Sequence, residues 1–207
     1  MDAQKDKSME QLILEAAEVL FLEKGFSLTS TTEIAKTVGC NQALVHYYYR
    51  TKEHLFNVIF EQKFMQFFQS VFDNNSLLDL AFEDKIKLIM NSHFDMLQIN
   101  PRLPQLIINE LARQPERIDR LKEKLRSYPE KVFAELNQNL QTEILEGKVR
   151  NINLLDLFIT IVTLNVSLFM YLPLMQQIFG LNEDQKSEFL AHRRIENIDF
   201  VLNSIRP

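Results

Sequence analysis

The groups best equipped for chemistry in this chain are crowded into Gln42-Ala43-Leu44-Val45-His46-Tyr47-Tyr48-Tyr49. A primary amide, an imidazole and three phenols follow one another there, and all of them hydrogen-bond. Three successive aromatics on a short helix cannot all face one core, so at least one is exposed. The bland alternative is a small helical bundle in which the tyrosines merely pack. Other chemistry is poorly supplied. The chain holds four His and one Cys, and His46 and Cys40 have no further ligands nearby, so no zinc site is expected. No Gly-rich phosphate loop, G-x-S-x-G or H-E-x-x-H run occurs. Ser, His and Asp are present, but nothing pairs them. No catalytic residue, metal or cofactor is expected, and an enzyme is the disfavoured class.

The elements around this segment must present it. Residues 8–64 scan as four short helices with a tight Gly turn between the second and third. In the first, Ile13, Ala16, Ala17, Leu20 and Phe21 form one apolar stripe on a 3.6-residue period. Ser8 with Gln11, and Ser30 with Glu33, are capping-box pairs that open the first two helices. Gly25 suits the end of the first. Ile34, Ala35 and Val38 are the inward face of the second. Gly39 makes the turn, and Asn41 caps the third helix through its side-chain oxygen. That helix, Gln42 to about Tyr48, is too short to stand on propensity alone. Leu44 or Val45 faces the core, and Tyr49 closes that side. Thr51 caps a fourth helix whose stripe, Phe56, Ile59, Phe60, Phe64, Phe67, Phe68 and Val71, runs on into a second domain. This layout is a helix-turn-helix, whose main physical use is to push one short helix into a DNA major groove.

The segment resembles the DNA-binding domain of the TetR family of one-component transcriptional repressors. The resemblance is carried by AAEVLFLEKGFSLTSTTEIAKTVG, by the cluster HYYY, and by Thr51-Lys52-Glu53-His54-Leu55-Phe56. It implies that Thr31 and Thr32 touch phosphates through hydroxyls and backbone N–H groups. Gln42, Ala43 and Leu44 would stand at the exposed start of the recognition helix, with the Gln42 amide pairing bidentately with adenine. Ala43 and Leu44 would meet a thymine methyl, Tyr47 and Tyr48 would hydrogen-bond the backbone, and Lys52 would make a charge-assisted phosphate contact. Two positions depart from the family pattern. His46 stands where Tyr is common, which alters a phosphate or thymine contact there. The start of the first helix reads Ser8-Met9-Glu10-Gln11 where an Arg or Lys is frequent.

Charge bears on the same reading. The whole chain carries a net charge of −5, and acids outnumber bases from Met1 to Phe56. Binding to DNA therefore needs local placement, with Lys36, Arg50 and Lys52 on the DNA side. Weak non-specific affinity and a modest salt slope follow. The single Cys40 excludes an internal disulfide and fits a reducing compartment. The polar start MDAQKDKSMEQ lacks a signal-peptide apolar region, and a cytoplasmic location is expected.

The expected fold class is all-α: an N-terminal three-helix helix-turn-helix DNA-binding domain, residues 1–55, and a C-terminal helical domain, residues 56–207, for effector binding and dimerisation. About nine helices are expected in all. Beyond Asp73-Asn74-Asn75-Ser76, read as a loop, a stripe runs through Ile86, Ile89, Met90, His93, Phe94 and Leu97. Asn100-Pro101 ends it, and a short helix covers about Leu103 to Arg113. Pro115 opens a long helix with Ile118, Leu121, Leu125, Tyr128, Val132 and Leu136 inward, kinked or split at Pro129. Residues 153–179 are apolar almost all round. That suits a helix buried on two sides, against its own domain and a partner subunit, better than a membrane span.

In the resembled family the last two helices build a four-helix dimer interface, which points here to Leu164, Leu168, Ile195, Ile198, Leu202 and Ile205. The family senses small molecules in the C-terminal domain. Effector-pocket candidates are Phe60, Phe64, Phe67, Met90, His93, Phe94, Asn165 and Met170, residue types that suit an adaptable pocket and an ordinary core equally. The implied partners are a palindromic double-stranded DNA operator, a second copy of the chain and a small apolar or weakly polar effector, with no membrane. The competing class is a helix-turn-helix protein whose C-terminal domain is a protein-interaction module without an effector.

Overall fold

The computed structural model describes residues 7–72, 80–116, 119 and 129–207, and the side chains of these except 67–72 and 129–132. Nine helices and no strands are found among the described residues. The first four are α1 (Met9–Leu28), α2 (Thr31–Val38), α3 (Gln42–Tyr49) and α4 (Lys52–Phe72). The rest are α5 (Phe82–Ile99), α6 (Leu103–Arg113), α7 (Pro129–Leu145), α8 (Leu154–Phe179) and α9 (Glu183–Ile205). The fold is all-α, as the sequence predicts.

Local signals set the helix ends. Ser8, Ser30, Asn41 and Thr51 each accept a backbone N–H three residues on, at 3.2, 3.1, 2.9 and 3.0 Å. Gly25 breaks the α1 run at φ 76°. The buried Thr29 hydroxyl reaches back to the carbonyls of Leu20 and Gly25 at 3.2 and 2.9 Å, so the freed acceptors stay paired. Gly39 takes the left-handed conformation (φ 76°, ψ 27°). Its N–H meets Lys36 O at 3.2 Å, and the Cys40 N–H meets Ala35 O at 2.9 Å. That pair of bonds closes a Schellman turn and aims α3 away from α2.

The headpiece core joins Ile13, Ala17, Leu20 and Phe21 of α1 to Ile34 and Ala35 of α2, Val45 and Tyr49 of α3, and Leu55, Phe56, Ile59 and Phe60 of α4. Phe56 packs edge-on against Phe21 and Phe26, with ring centroids 4.9 and 5.0 Å apart. Leu106 of α6 is buried in the same cluster. The 55/56 division therefore falls inside one apolar core.

Two large clusters and a small one of Ile89 and Leu136 fill the C-terminal part. Of the large ones, one joins Phe82, Ile86 and Met90 to Leu140, Leu157, Ile161, Val201, Leu202 and Ile205. The other gathers Phe94, Met96, Leu97, Leu103, Phe169, Leu172 and Leu190. Helix α8 is long and apolar enough to cross a membrane by length and composition. One of its rows, Leu157, Ile161, Asn165, Phe169 and Leu172, is buried in the protomer. Leu155, Ile159, Tyr171, Leu174 and Ile178 are exposed.

One expectation changes here. Leu202 and Ile205 do not lie on an open dimer seam. They are buried in the protomer's own core, Ile198 packs against that core, and only Ile195 of that row stands exposed. Pro129 is the first described residue of α7, and the kink or split expected there falls on residues 121–128, outside the described residues. The stripe Ile118, Leu121, Leu125, Tyr128 and Val132, the cluster Phe67, Phe68 and Val71 as side chains, and the loop 73–76 lie outside the described residues.

Candidate nucleic-acid interface

Helix α3 is fixed from one side only. Val45 is buried, and Tyr49 is buried with its hydroxyl donating to Glu10 O at 3.1 Å. Burial first, then the Glu10 carboxylate, pushes the Tyr49 phenol up to about 12, so it stays protonated as a donor. With these two anchors inward, the helical period turns Gln42, Ala43, His46 and Tyr47 to solvent, while Leu44 and Tyr48 are half-buried. Tyr47 is 77% exposed and meets Tyr48 edge-on, centroids 5.2 Å apart. Of the three tyrosines, one is core, one rim and one free.

The start of α2 joins this surface. Thr32 is exposed and Thr31 half-buried. Gln42 Nε2 donates to Thr31 Oγ1 at 2.9 Å, and Thr32 Oγ1 donates to Gln42 Oε1 at 3.2 Å. Gln42 Nε2 also lies 3.2 Å from His46 Nε2, and His46 Nδ1 lies 2.9 Å from Arg50 O. Two hydroxyls, an amide, an imidazole and a main-chain carbonyl thus form one continuous chain of polar contacts across α2 and α3.

The cations divide. Lys36 and Arg50 are exposed. Lys52 turns inward: its Nζ donates to Phe26 O at 2.9 Å and Thr29 O at 3.0 Å, and stands 4.2 Å over the Phe26 ring. It ties the start of α4 to the end of α1. Lys24 is ion-paired with Glu33 and Lys7 with Glu15, which neutralises two acids of the headpiece.

Among the described residues, the effector-pocket candidates do not line one shared cavity. Phe60 is in the headpiece core, Met90 and Phe94 are in two different C-terminal clusters, and Met170 is half-buried. His93 and Asn165 are interior links. Asn165 Nδ2 donates to Met90 O at 3.2 Å and lies 3.4 Å from His93 Nδ1, and Asn197 Nδ2 donates to Asn165 Oδ1 at 3.1 Å. Burial pulls the His93 imidazole down to about 4. Among the described candidates, Phe64 lines a crevice. That crevice, about 270 Å³, is walled by Phe64, Met96, Leu97, Leu103, Pro104, Ile107, Ile108, Phe158, Val162 and Val166. Every wall residue is apolar. The sequence signal for it was the α6 run LPQLIINELAR, apolar on two sides.

Helix α6 also touches the headpiece. Leu106 enters its core, Arg113 donates to Ser27 Oγ at 3.1 Å, and Arg102 pairs with Glu23 at 3.8 Å. From α4, Lys63 pairs with Glu18 at 2.5 Å, and both side chains are largely covered.

Residues 13–59 match the family model described as bacterial regulatory proteins, tetR family. That segment is a TetR-family DNA-binding domain. The match spans the helices that carry the polar chain of contacts just described. Among TetR-like relatives, the chain is 27% identical over 186 residues to the biofilm operon icaADBC HTH-type negative transcriptional regulator IcaR of Staphylococcus epidermidis. That alignment covers 87% of this chain and 92% of the relative. It is 24% identical over 139 residues to the fatty acid metabolism regulator protein of Bacillus subtilis, covering 65% of this chain and 70% of the relative. Its fold resembles that of the ketosteroid transcriptional regulator KstR2 of Mycobacterium tuberculosis, with a TM-score of 0.67 at 16% identity over 97% and 96% of the two chains. Like its TetR relatives, the chain is a DNA-binding transcriptional regulator.

Proposed function

We propose that this regulator is a repressor that binds a palindromic operator as a homodimer and leaves it when a small apolar or weakly polar ligand enters the C-terminal domain. The observation that carries the reading is the one-sided anchoring of α3. Val45 and Tyr49 hold it while Gln42, Ala43, His46 and Tyr47 face outward beside Thr31 and Thr32. Amide and hydroxyl groups there suit base edges and phosphates. One such helix buries little surface. Two, spaced about 34–36 Å apart, read half-sites one turn apart. The exposed apolar row of α8 with Ile195 and Phe200 of α9 suits the partner copy. The described name of IcaR, a negative transcriptional regulator, supports repression.

Release follows from shared helices. Leu103, Pro104, Ile107 and Ile108 wall the crevice on one side of α6, while Leu106 of the same helix packs into the headpiece core. Phe64 of α4 walls the crevice, while Phe56 and Phe60 below it are headpiece core. A ligand that widens the crevice displaces both helices and so changes the spacing of two headpieces. The all-apolar walls suit a hydrocarbon chain or ring system, in keeping with relatives named for fatty acid and ketosteroid regulation.

The test is fluorescence anisotropy of the purified protein against duplexes tiled across the DNA flanking its coding region, at two salt concentrations with a scrambled control. Saturable binding of one palindrome that survives moderate salt supports the reading. Salt-sensitive binding common to all duplexes overturns it.

A further inference from the structure

We propose that His46 decides which bases Gln42 reads; the proposal rests on the DNA-binding reading above. The fixed point is Arg50. Its φ of 58° and ψ of −57° lie in a region that side-chain-bearing residues rarely adopt. The Thr51 N–H donates to Tyr49 O across it at 2.6 Å, which makes it the centre of a γ-turn of the strained hand. That turn leaves the Arg50 carbonyl 2.9 Å from His46 Nδ1. A carbonyl only accepts, so Nδ1 carries the hydrogen. The neutral ring then presents a lone pair at Nε2, and Gln42 Nε2 donates to it at 3.2 Å.

The consequence lies in what remains of the amide. A glutamine has two N–H donors and two acceptor lone pairs. One donor goes to His46 Nε2 and the other to Thr31 Oγ1, while Thr32 Oγ1 occupies one lone pair. Both donors are spent and one acceptor position is free. Held this way, Gln42 cannot make the two-bond adenine pair expected from the sequence, because that pair needs a free N–H for N7. It faces the groove as an acceptor. Adenine N6 and cytosine N4 are the donors of the major groove, whereas guanine and thymine offer acceptors at the matching place. Gln42 therefore selects an amino base, A or C, on the strand it faces. A donor at position 46 would reverse this. The amide would turn over, its oxygen toward residue 46 and its N–H groups toward the DNA, and G or T would be selected.

The experiment uses the full chain and a library of randomised duplexes, with bound pools sequenced after selection. The position read by Gln42 is the one whose preference collapses in Gln42→Ala. Wild type should hold A or C there by about fivefold, the worth of one hydrogen bond. His46→Gln, whose carbonyl can accept from the same amide, should keep that preference. His46→Lys, a donor only, should shift it to G or T by a similar factor. In the Gln42→Ala background the same Lys exchange should leave the position without preference, which separates amide turnover from a new lysine contact. His46 is exposed, so every variant should melt with the wild type. A wild-type preference for G or T, a preference unmoved by His46→Lys, or no position that depends on Gln42 overturns the proposal and leaves the DNA-binding reading standing. If wild type enriches no sequence at all, that reading falls and the proposal with it.

Discussion

Lys52 and Phe26 form a single joint: the ammonium donates to the Phe26 carbonyl at 2.9 Å and stands 4.2 Å above the same residue's ring. Together with the bond to Thr29 O, this joint spends two of three ammonium donors inside the headpiece. Lys52→Ala should therefore destabilise the fold by about 2 kcal/mol, the scale of hydrogen bonds to a charged group. Thermal melting checks it. A loss of DNA affinity across all duplexes with an unchanged melting temperature would instead assign the residue to phosphate alone.

Acid should loosen the C-terminal domain through His93. Burial lowers its imidazole from 6.5 to about 4, so the unfolded chain takes up a proton near pH 6.5 that the folded chain refuses until about pH 4. Stability is full above 6.5, declines as pH falls through that window, and levels off below it. The total is on the order of 3 kcal/mol. His93→Asn should flatten the slope of melting temperature against pH between those limits, whatever it does to absolute stability. An unchanged slope would place the acid sensitivity elsewhere.

Filling the crevice should disconnect ligand from DNA. Val166→Phe adds a ring into a space of about 270 Å³. An environment-sensitive apolar dye should bind the variant at least tenfold more weakly, a loss of about 1.4 kcal/mol, while operator affinity without ligand stays at the wild-type level. Equal dye binding would move the ligand site away from α6.

A charge on the exposed face of α8 should separate the subunits. Ile178 is 62% exposed in the protomer, so Ile178→Glu leaves the fold intact. Sedimentation should give half the wild-type mass, and palindrome affinity should fall by at least tenfold. A dimer that persists would assign the interface to another face.

How far the sequence spoke depended on distance along the chain. Ser8, Ser30, Asn41 and Thr51 are caps by contacts three residues away, and such contacts are written in local spacing. The same short period left Leu44 or Val45 for the core beside Tyr49, and the fold buries Val45. The crevice did not follow from local spacing, because Phe60, Met90 and Phe94 are large and apolar like Phe64 and differ in what packs over them. That difference is set by contacts between residues far apart in the chain, such as Phe64 of α4 and Val162 of α8 across one crevice. The α9 row failed for a similar reason. Ile195, Ile198, Leu202 and Ile205 repeat as a seam would, yet the pattern does not say which neighbour, partner copy or own core, receives it. The Arg50 γ-turn had no sequence signal, since no glycine marks it.

The Met90 carbonyl, Asn165 and Asn197 run through α5, α8 and α9 as a thread of uncharged amide bonds. Dissolved ions screen charges and compete for phosphate, but they leave buried neutral dipoles almost untouched. The molecule's grip on a polyanion and its internal wiring therefore answer to different solutes. A rise in cellular potassium would thin operator occupancy without blurring the architecture that reports on the ligand.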